Sequence, residues 1–335
     1  MENDPDRACV IGNGGWGTAL ALLLLSRGRD VALWGHSKEE LDDIRARGEN
    51  VPYLPGVTVP GELRLTDDPA EAAEGAGLVV VAAPSQFYET VCARFRGRLA
   101  PGADAVSVSK GFCAGTGDRL SVAAARALGV EEVAALSGPS HAEEVARGVP
   151  TAVVAAARDP ALAARVQAAF NGPRFRVYTS DDPVGVELGG AVKNVLALAV
   201  GMSDGLGFGD NSRAALVTRG VAEMARLGVA VGGRAETFSG LSGLGDLVVT
   251  CTSRHSRNRG VGERLGRGEP LSAIQSGMRQ VAEGVWNCTL VCDMAAELGV
   301  EMPICETVRL VLQGSIPPSE AVARLMGRDP KDERG

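Results

Sequence analysis

Aromatic residues are scarce. Three Trp, three Tyr and seven Phe make up 4% of the chain, so the core must be filled by Ala, Val and Leu. Histidine occurs three times, too rarely to help build a metal centre of imidazoles. The cysteines are Cys9, Cys92, Cys113, Cys251, Cys288, Cys292 and Cys305, an odd number with no CxxC pair. That pattern argues against zinc and for reduced, mostly buried thiols, with Cys288 and Cys292 able to share a helix face. Net positive charge is missing too. A formal charge of −7 argues against a general nucleic-acid surface. Met1 to Arg7 is polar and acidic, unlike a signal peptide, and the apolar run Ala19 to Leu25 is too short to span a membrane. The expectation is a cytoplasmic protein with no membrane span and no metal.

What is abundant is aliphatic. Hydrophobic residues are 45% of 335, enough for about two domains with sizeable cores. Residues 8 to about 180 alternate strand-like and helix-like segments. Ala8–Ile11, Val31–Trp34, Leu78–Ala82, Ala105–Ser109, Val133–Leu136, Ala152–Ala156 and Phe175–Tyr178 read as strands. Between the first two, a helix from Gly15 to Arg27 closes at Gly28. Ser37 with Glu40 forms a capping-box pattern, and Asp68-Pro69 with Glu71 another helix start. This alternation predicts an α/β fold with a doubly wound, mainly parallel sheet. Near Pro183 the character changes. Val186–Met202, Ala214–Leu227, Val281–Leu298 and Ile304–Leu312 read as helices. The expected division is residues 1–183 and an all-α domain over 184–335.

Gly12-Asn13-Gly14-Gly15-Trp16-Gly17 fits GxGxxG. The pattern alone is weak in a chain with 44 glycines, but here it follows a strand and opens a helix, as a dinucleotide site requires. Gly12 permits the tight turn, Gly14 lets backbone approach a pyrophosphate, and Gly17 lets the helix close on the strand. Free N–H groups at the helix start then hold the negative charge. At the end of the second strand, where an NAD site usually carries an acid, stand His36, Ser37 and Lys38. None of these repels a 2′-phosphate, so NADP or dual NAD/NADP use is expected, leaning to NADP. The alternative is that Glu39 or Glu40 serves the ribose.

Lys110 follows a strand and so faces the crevice where such sheets bind ligands, unless it is plain surface. Lys193 has Gly189, Gly190, Leu196 and Ala197 on its own helix face. Two adjacent glycines cost about 1 kcal/mol each in a helix, which implies close packing there. A lysine so enclosed loses affinity for its proton and suits acid–base work; otherwise its head snorkels to water. Asp246, in the glycine-rich entry to another helix with Thr250 on the same face, can orient a lysine or only complement the helix dipole. Ser253-Arg254-His255-Ser256-Arg257-Asn258-Arg259 interleaves arginines with hydroxyls and an amide, a mixture suited to phosphate or merely to a solvated loop.

These segments resemble the bacterial type of NAD(P)-dependent glycerol-3-phosphate dehydrogenases. The similar stretches are Gly12–Ala21, Ser109-Lys110-Gly111, Ser137–Ser140, Val192–Val195, Gly243–Leu247, Ser256–Arg259, Val281–Gly284 and Lys331–Arg334, in the family's order. The resemblance implies a Rossmann-type domain, a helical substrate domain, a homodimer, and reduction of dihydroxyacetone phosphate for phospholipid synthesis. It implies Lys193 as the acid/base group. It places Lys110, Gly138, Ser140, Lys193, Asp246, Ser256, Arg257 and Asn258 around the substrate. Gly15, Trp16, His36, Lys110, Ala142, Arg257, Val281 and Glu283 would line the cofactor with Gly12 and Gly14. Asn13 and Gly15 stand where the family often has Ala and Ser, at positions expected to give mainly backbone contacts. His36 stands where Arg is common.

Two other readings fit the residues less closely. One is a β-hydroxyacid-type dehydrogenase with Arg257 on a carboxylate, which would turn over phosphate-free substrates. The other is a non-catalytic NAD(P)-sensing protein, against which Lys193 and Asp246 speak. The His36 position yields a direct expectation. His36→Asp adds a carboxylate that repels the 2′-phosphate and can accept from a ribose hydroxyl. It should shift the ratio of kcat/KM for NADPH over NADH towards NADH; an unchanged ratio would show that His36 lies away from the adenosine ribose.

Overall fold

The computed structural model describes residues 3–278, 282–330 and 332. Val281 and the closing Lys331, Glu333 and Arg334 lie outside them. Eight strands, β1 (Asp4–Ile11), β2 (Asp30–Trp34), β3 (Arg64–Thr66), β4 (Ala76–Val81), β5 (Asp104–Ser107), β6 (Ala134–Ser137), β7 (Thr151–Ala156) and β8 (Phe175–Ser180), form one sheet. Their order is β3-β2-β1-β4-β5-β6-β7-β8. Every pairing is parallel except β6 with β7. Chain direction across the sheet reverses between β1 and β4, and crevices at such switch points take ligands.

Alternation along β1 explains its apolar run. Ala8 and Val10 join the core on one face, Cys9 and Ile11 the core on the other, as expected where helices cover both faces. β3 escapes sequence reading because three residues carry no usable period. β5 stops two residues before the expected Ser109. There the chain turns to other partners: the Val108 carbonyl accepts from Trp16 Nε1 (3.1 Å) and Ser109 Oγ donates to the Ala83 carbonyl (2.6 Å).

Beyond β8 the described residues are helical or looped. The helix Pro183–Gly205 begins on a proline, with Asp182 accepting from Gly185 N at 2.8 Å. It is buried from Gly185 through Ser203. Its length and apolarity match a membrane span, but its apolar window is enclosed by protein, so it is the spine of the second core. Glu187 joins this spine to the first domain, accepting from Arg119 (2.6 Å), Ser121 N (2.8 Å) and Ser121 Oγ (2.6 Å). All seven cysteines are buried and free.

Backbones meet closely where the spine crosses the helix Arg257–Gly266. A Cβ on Gly262 would fall 2.2 Å from the Leu198 carbonyl, and one on Gly201 2.1 Å from the Arg259 carbonyl. Gly262→Ala therefore gains roughly 1 kcal/mol of helix propensity but forces two backbones apart. The expected net result is a loss of about 1–3 kcal/mol, read as a lower denaturation midpoint. A midpoint unchanged or raised contradicts this packing.

Candidate functional site

The glycine-rich turn lies at the sheet's switch point, between the ends of β1 and β4. Gly12 has φ +116, and a Cβ there would sit 2.8 Å from the Ala82 carbonyl. A Cβ on Gly17 would collide with the Gly12 carbonyl at 1.9 Å. Gly14 differs: nothing lies within 4 Å of its missing Cβ, so its backbone faces open space. The helix Gly15–Ser26 starts with no side-chain cap and no acid in its first turn. Its leading N–H groups are thus left to an anion, and the turn fits a dinucleotide pyrophosphate. Ala142 flanks it, 3.8 Å from the Cβ position of Gly15.

At position 13 the side chain adds to the mainly backbone contacts expected of it, and at position 15 the space is limited. The buried Asn13 side chain donates to Glu40 Oε2 at 3.0 Å, and the Asn13 main-chain carbonyl accepts from Asn50 Nδ2 at 2.8 Å. A Cβ on Gly15 would lie 2.5 Å from the Tyr53 carbonyl. Asn13 thus ties the turn to the second helix, and Gly15 must remain small unless the Tyr53 segment moves. The same bond shows where Glu40 goes. Its backbone N–H caps on Ser37 (3.3 Å), while its carboxylate takes Asn13 and, at 3.4 Å, the Tyr53 hydroxyl. His36 is exposed at the end of β2.

Opposite the turn, three charged side chains converge. Lys193, on the spine, is 5% exposed, and Asp246, at the start of the helix Asp246–Thr252, is 1% exposed. Lys193 Nζ donates to Asp246 Oδ1 at 2.5 Å and to Thr250 Oγ1 at 2.7 Å. Lys110 Nζ lies 2.6 Å from the other carboxylate oxygen and donates to the Gly138 carbonyl at 2.9 Å. Burial pushes Lys193 down to about 7; the Asp246 charge resists this and the like charge of Lys110 adds to it. Burial works against ionisation of Asp246, but the two lysines outweigh it and hold its pKa below the usual carboxylate range.

Small residues make this meeting possible. A Cβ on Gly189 would approach the Ser242 carbonyl to 2.7 Å, and one on Gly190 would meet Ser137 Oγ at 2.9 Å and Lys110 Cγ at 3.3 Å. The two glycines of the spine are therefore where the 241–245 turn and the Lys110 side chain come against it. Gly138, at φ +141, lets β6 turn so that its carbonyl faces Lys110, and Ser140 Oγ donates to that carbonyl at 2.9 Å.

The basic stretch divides its residues. Ser256 caps the helix Arg257–Gly266, accepting from Arg259 N at 3.2 Å. Arg259 is spent on the part-buried Asp204, at 2.8 Å. Asn258 donates to Asn194 Oδ1 and accepts from Gly284 N, both at 2.9 Å. Arg254 and Arg257 are exposed, and the charge of Arg257 acts on Glu283. Glu283 in turn accepts from Ser85 N (3.2 Å) and Ser85 Oγ, across the domain boundary. Burial pushes the Glu283 carboxyl up.

Sequence reasoning missed Ser85 and His141. Ser85 was findable, since it follows an apolar strand as Lys110 does. A lone histidine gives no comparable signal. His141 begins the helix Ala142–Ala146, with its ring 5.9 Å from that of His255. Burial and then the charges of Lys193 and Lys110 lower its pKa.

A switch-point glycine turn facing a buried lysine–carboxylate pair, on a sheet joined to a helical domain, defines a two-domain dinucleotide-binding protein. The chain belongs to the NAD-dependent glycerol-3-phosphate dehydrogenase family: the N-terminal family model matches residues 7–163 and the C-terminal model residues 182–323. It is 51% identical over 329 residues to glycerol-3-phosphate dehydrogenase [NAD(P)+] of Thermus thermophilus, covering 98% of this chain and 100% of that one. The enzyme of the same name from Chlorobium phaeobacteroides is 48% identical over 329 residues, covering 97% and 98%. The crystal structure of glycerol-3-phosphate dehydrogenase from Coxiella burnetii superposes with a TM-score of 0.92 at 40% identity, covering 96% and 99%.

Proposed function

We propose that this chain is an NAD(P)-dependent sn-glycerol-3-phosphate dehydrogenase, reducing dihydroxyacetone phosphate to sn-glycerol 3-phosphate and running reversibly. The observation that carries the reading is the buried Lys193, paired with Asp246 and poised to titrate near neutrality. A group able both to hold and to release a proton at working pH is what a carbonyl–alcohol interconversion needs.

When bound, NAD(P)H would supply a hydride for the carbonyl carbon. Gly12, Gly14, Gly15, Trp16 and Ala142 would hold the cofactor at the turn, His36 at the adenosine ribose, and Lys110, Arg257 and Glu283 towards the substrate; Val281, also expected to line the cofactor, lies outside the described residues. Lys193 gives the Nζ proton to the carbonyl oxygen and recovers one afterwards. Asp246 aims the ammonium and keeps it from turning away. Lys110, Gly138 and Ser140 wall the substrate, while Ser256, Arg257 and Asn258 face its phosphate. The Arg257 guanidinium offers two parallel donors. Asn258 has its oxygen and one N–H engaged internally, leaving the second N–H to the ligand. The absence of an acid at residues 35–38 supports NADP use alongside NAD. The same family resemblance supports a role in glycerophospholipid synthesis, in the cytoplasm and as a homodimer. Residues 1–183 would bind the nucleotide and 184–335 the substrate.

Lys193→Ala should lower kcat for dihydroxyacetone phosphate reduction by about 10²–10⁴, the range for a general acid, with NADPH binding nearly intact. Rates by NADPH oxidation and binding by titration check both parts. A variant retaining more than a tenth of the parent rate removes the acid/base role from Lys193.

A further inference from the structure

The loop that carries Lys110 belongs to the sheet domain, yet it is fastened from the helical domain. Phe112 is 1% exposed and packs in the helical domain's core. Its backbone N–H donates to Asn287 Oδ1 at 3.1 Å across 175 residues of sequence. Asn287 is fully buried on the helix Glu283–Glu297. Gly111, between Lys110 and Phe112, has φ +133, and a Cβ there would lie 2.7 Å from Asn287 Nδ2. The amide thus bonds one side of this turn and packs against the other. Four residues earlier on the same helix face, Glu283 takes the Ser85 segment. Between them Gly284 N donates to Asn258. Little more than one helical turn, Glu283 to Asn287, therefore fixes the loops after β4 and β5 and the start of the helix Arg257–Gly266 together.

We propose that Asn287 is a positioning residue for Lys110, setting the depth at which the lysine reaches Asp246 from across the domain boundary. This rests on the role given to Lys110 above. Losing the acceptor leaves a buried N–H unpartnered, and the loop relieves this by shifting. Lys110 then moves relative to Asp246, and Asp246 relative to Lys193. Misplacement of about 1 Å at a reacting centre costs up to roughly a hundredfold in rate.

The test is a double-mutant cycle with dihydroxyacetone phosphate and NADPH. Asn287→Ala should lower kcat about ten- to hundredfold while the KM for NADPH stays within about twofold. In a Lys110→Ala background, adding Asn287→Ala should change kcat by less than about twofold, because the residue it positions is gone. Equal loss in both backgrounds makes Asn287 merely structural and overturns the proposal, as does an unaltered kcat in folded Asn287→Ala. Should that variant not fold, Gly111→Ala presses on the same contact and is read in the same cycle by the same criteria. If Lys110→Ala alone is silent, the role of Lys110 falls and this proposal with it; if Lys110→Ala is slow but the cycle is additive, only the proposal about Asn287 falls.

Discussion

One buried carboxylate shared by a buried and a half-buried lysine governs this structure. Asp246 meets Lys193 at 2.5 Å and Lys110 at 2.6 Å while almost wholly out of water. Burying such charges is costly, and removing one partner of a buried pair typically costs about 3–5 kcal/mol. Much of the surrounding architecture serves to bring the three together. Lys193 comes from the spine of the helical domain, Asp246 from a short helix beside it, and Lys110 from the far side of the domain boundary. None of the three elements can shift without unpairing a charge.

The arrangement also explains why small residues crowd this region. Gly189 and Gly190 admit the Ser242 carbonyl and the Lys110 side chain against the spine, while Gly201 and Gly262 let the helix bearing Arg257 lie close to it. The gain is geometric: Lys193, Asp246 and Lys110, from two helices and a strand end, meet at one point. Burial acts chemically as well. It withdraws solvation from the Lys193 ammonium, so the proton is held loosely enough to be given away, while Asp246 keeps the group from becoming a permanently neutral amine.

Much of this was legible in the sequence, for identifiable reasons. Strands buried on both faces read as continuous apolar runs, so β2, β4 and the second half of β1 stand out. The adjacent glycines beside Lys193 pointed to close packing, and what packs there is the 241–245 turn and Lys110. Less legible were features whose cause lies far along the chain. The edge strand β3 is defined by pairing with β2, not by any period of its own. Asn13 looked like a backbone-only position because its partner, Glu40, is 27 residues away. Arg259 and Arg257 are two apart and alike in sequence, but one is spent on Asp204 and the charge of the other acts on Glu283. His141 and Asn287 carry no motif; only the meeting of two domains gives them meaning.

The central claim is that burial brings the proton of Lys193 into the working range, and the pH dependence of kcat/KM for dihydroxyacetone phosphate reduction tests it most directly. Because the protonated lysine is the donor, activity should be full below the folded-state pKa and fall as pH rises through about 7. Asp246→Asn removes the charge that sustains the ammonium, so in that variant the falling limb should move to lower pH. A profile flat through neutrality that falls only near the ordinary lysine value of 10.5, or a limb unmoved by Asp246→Asn, would contradict the account.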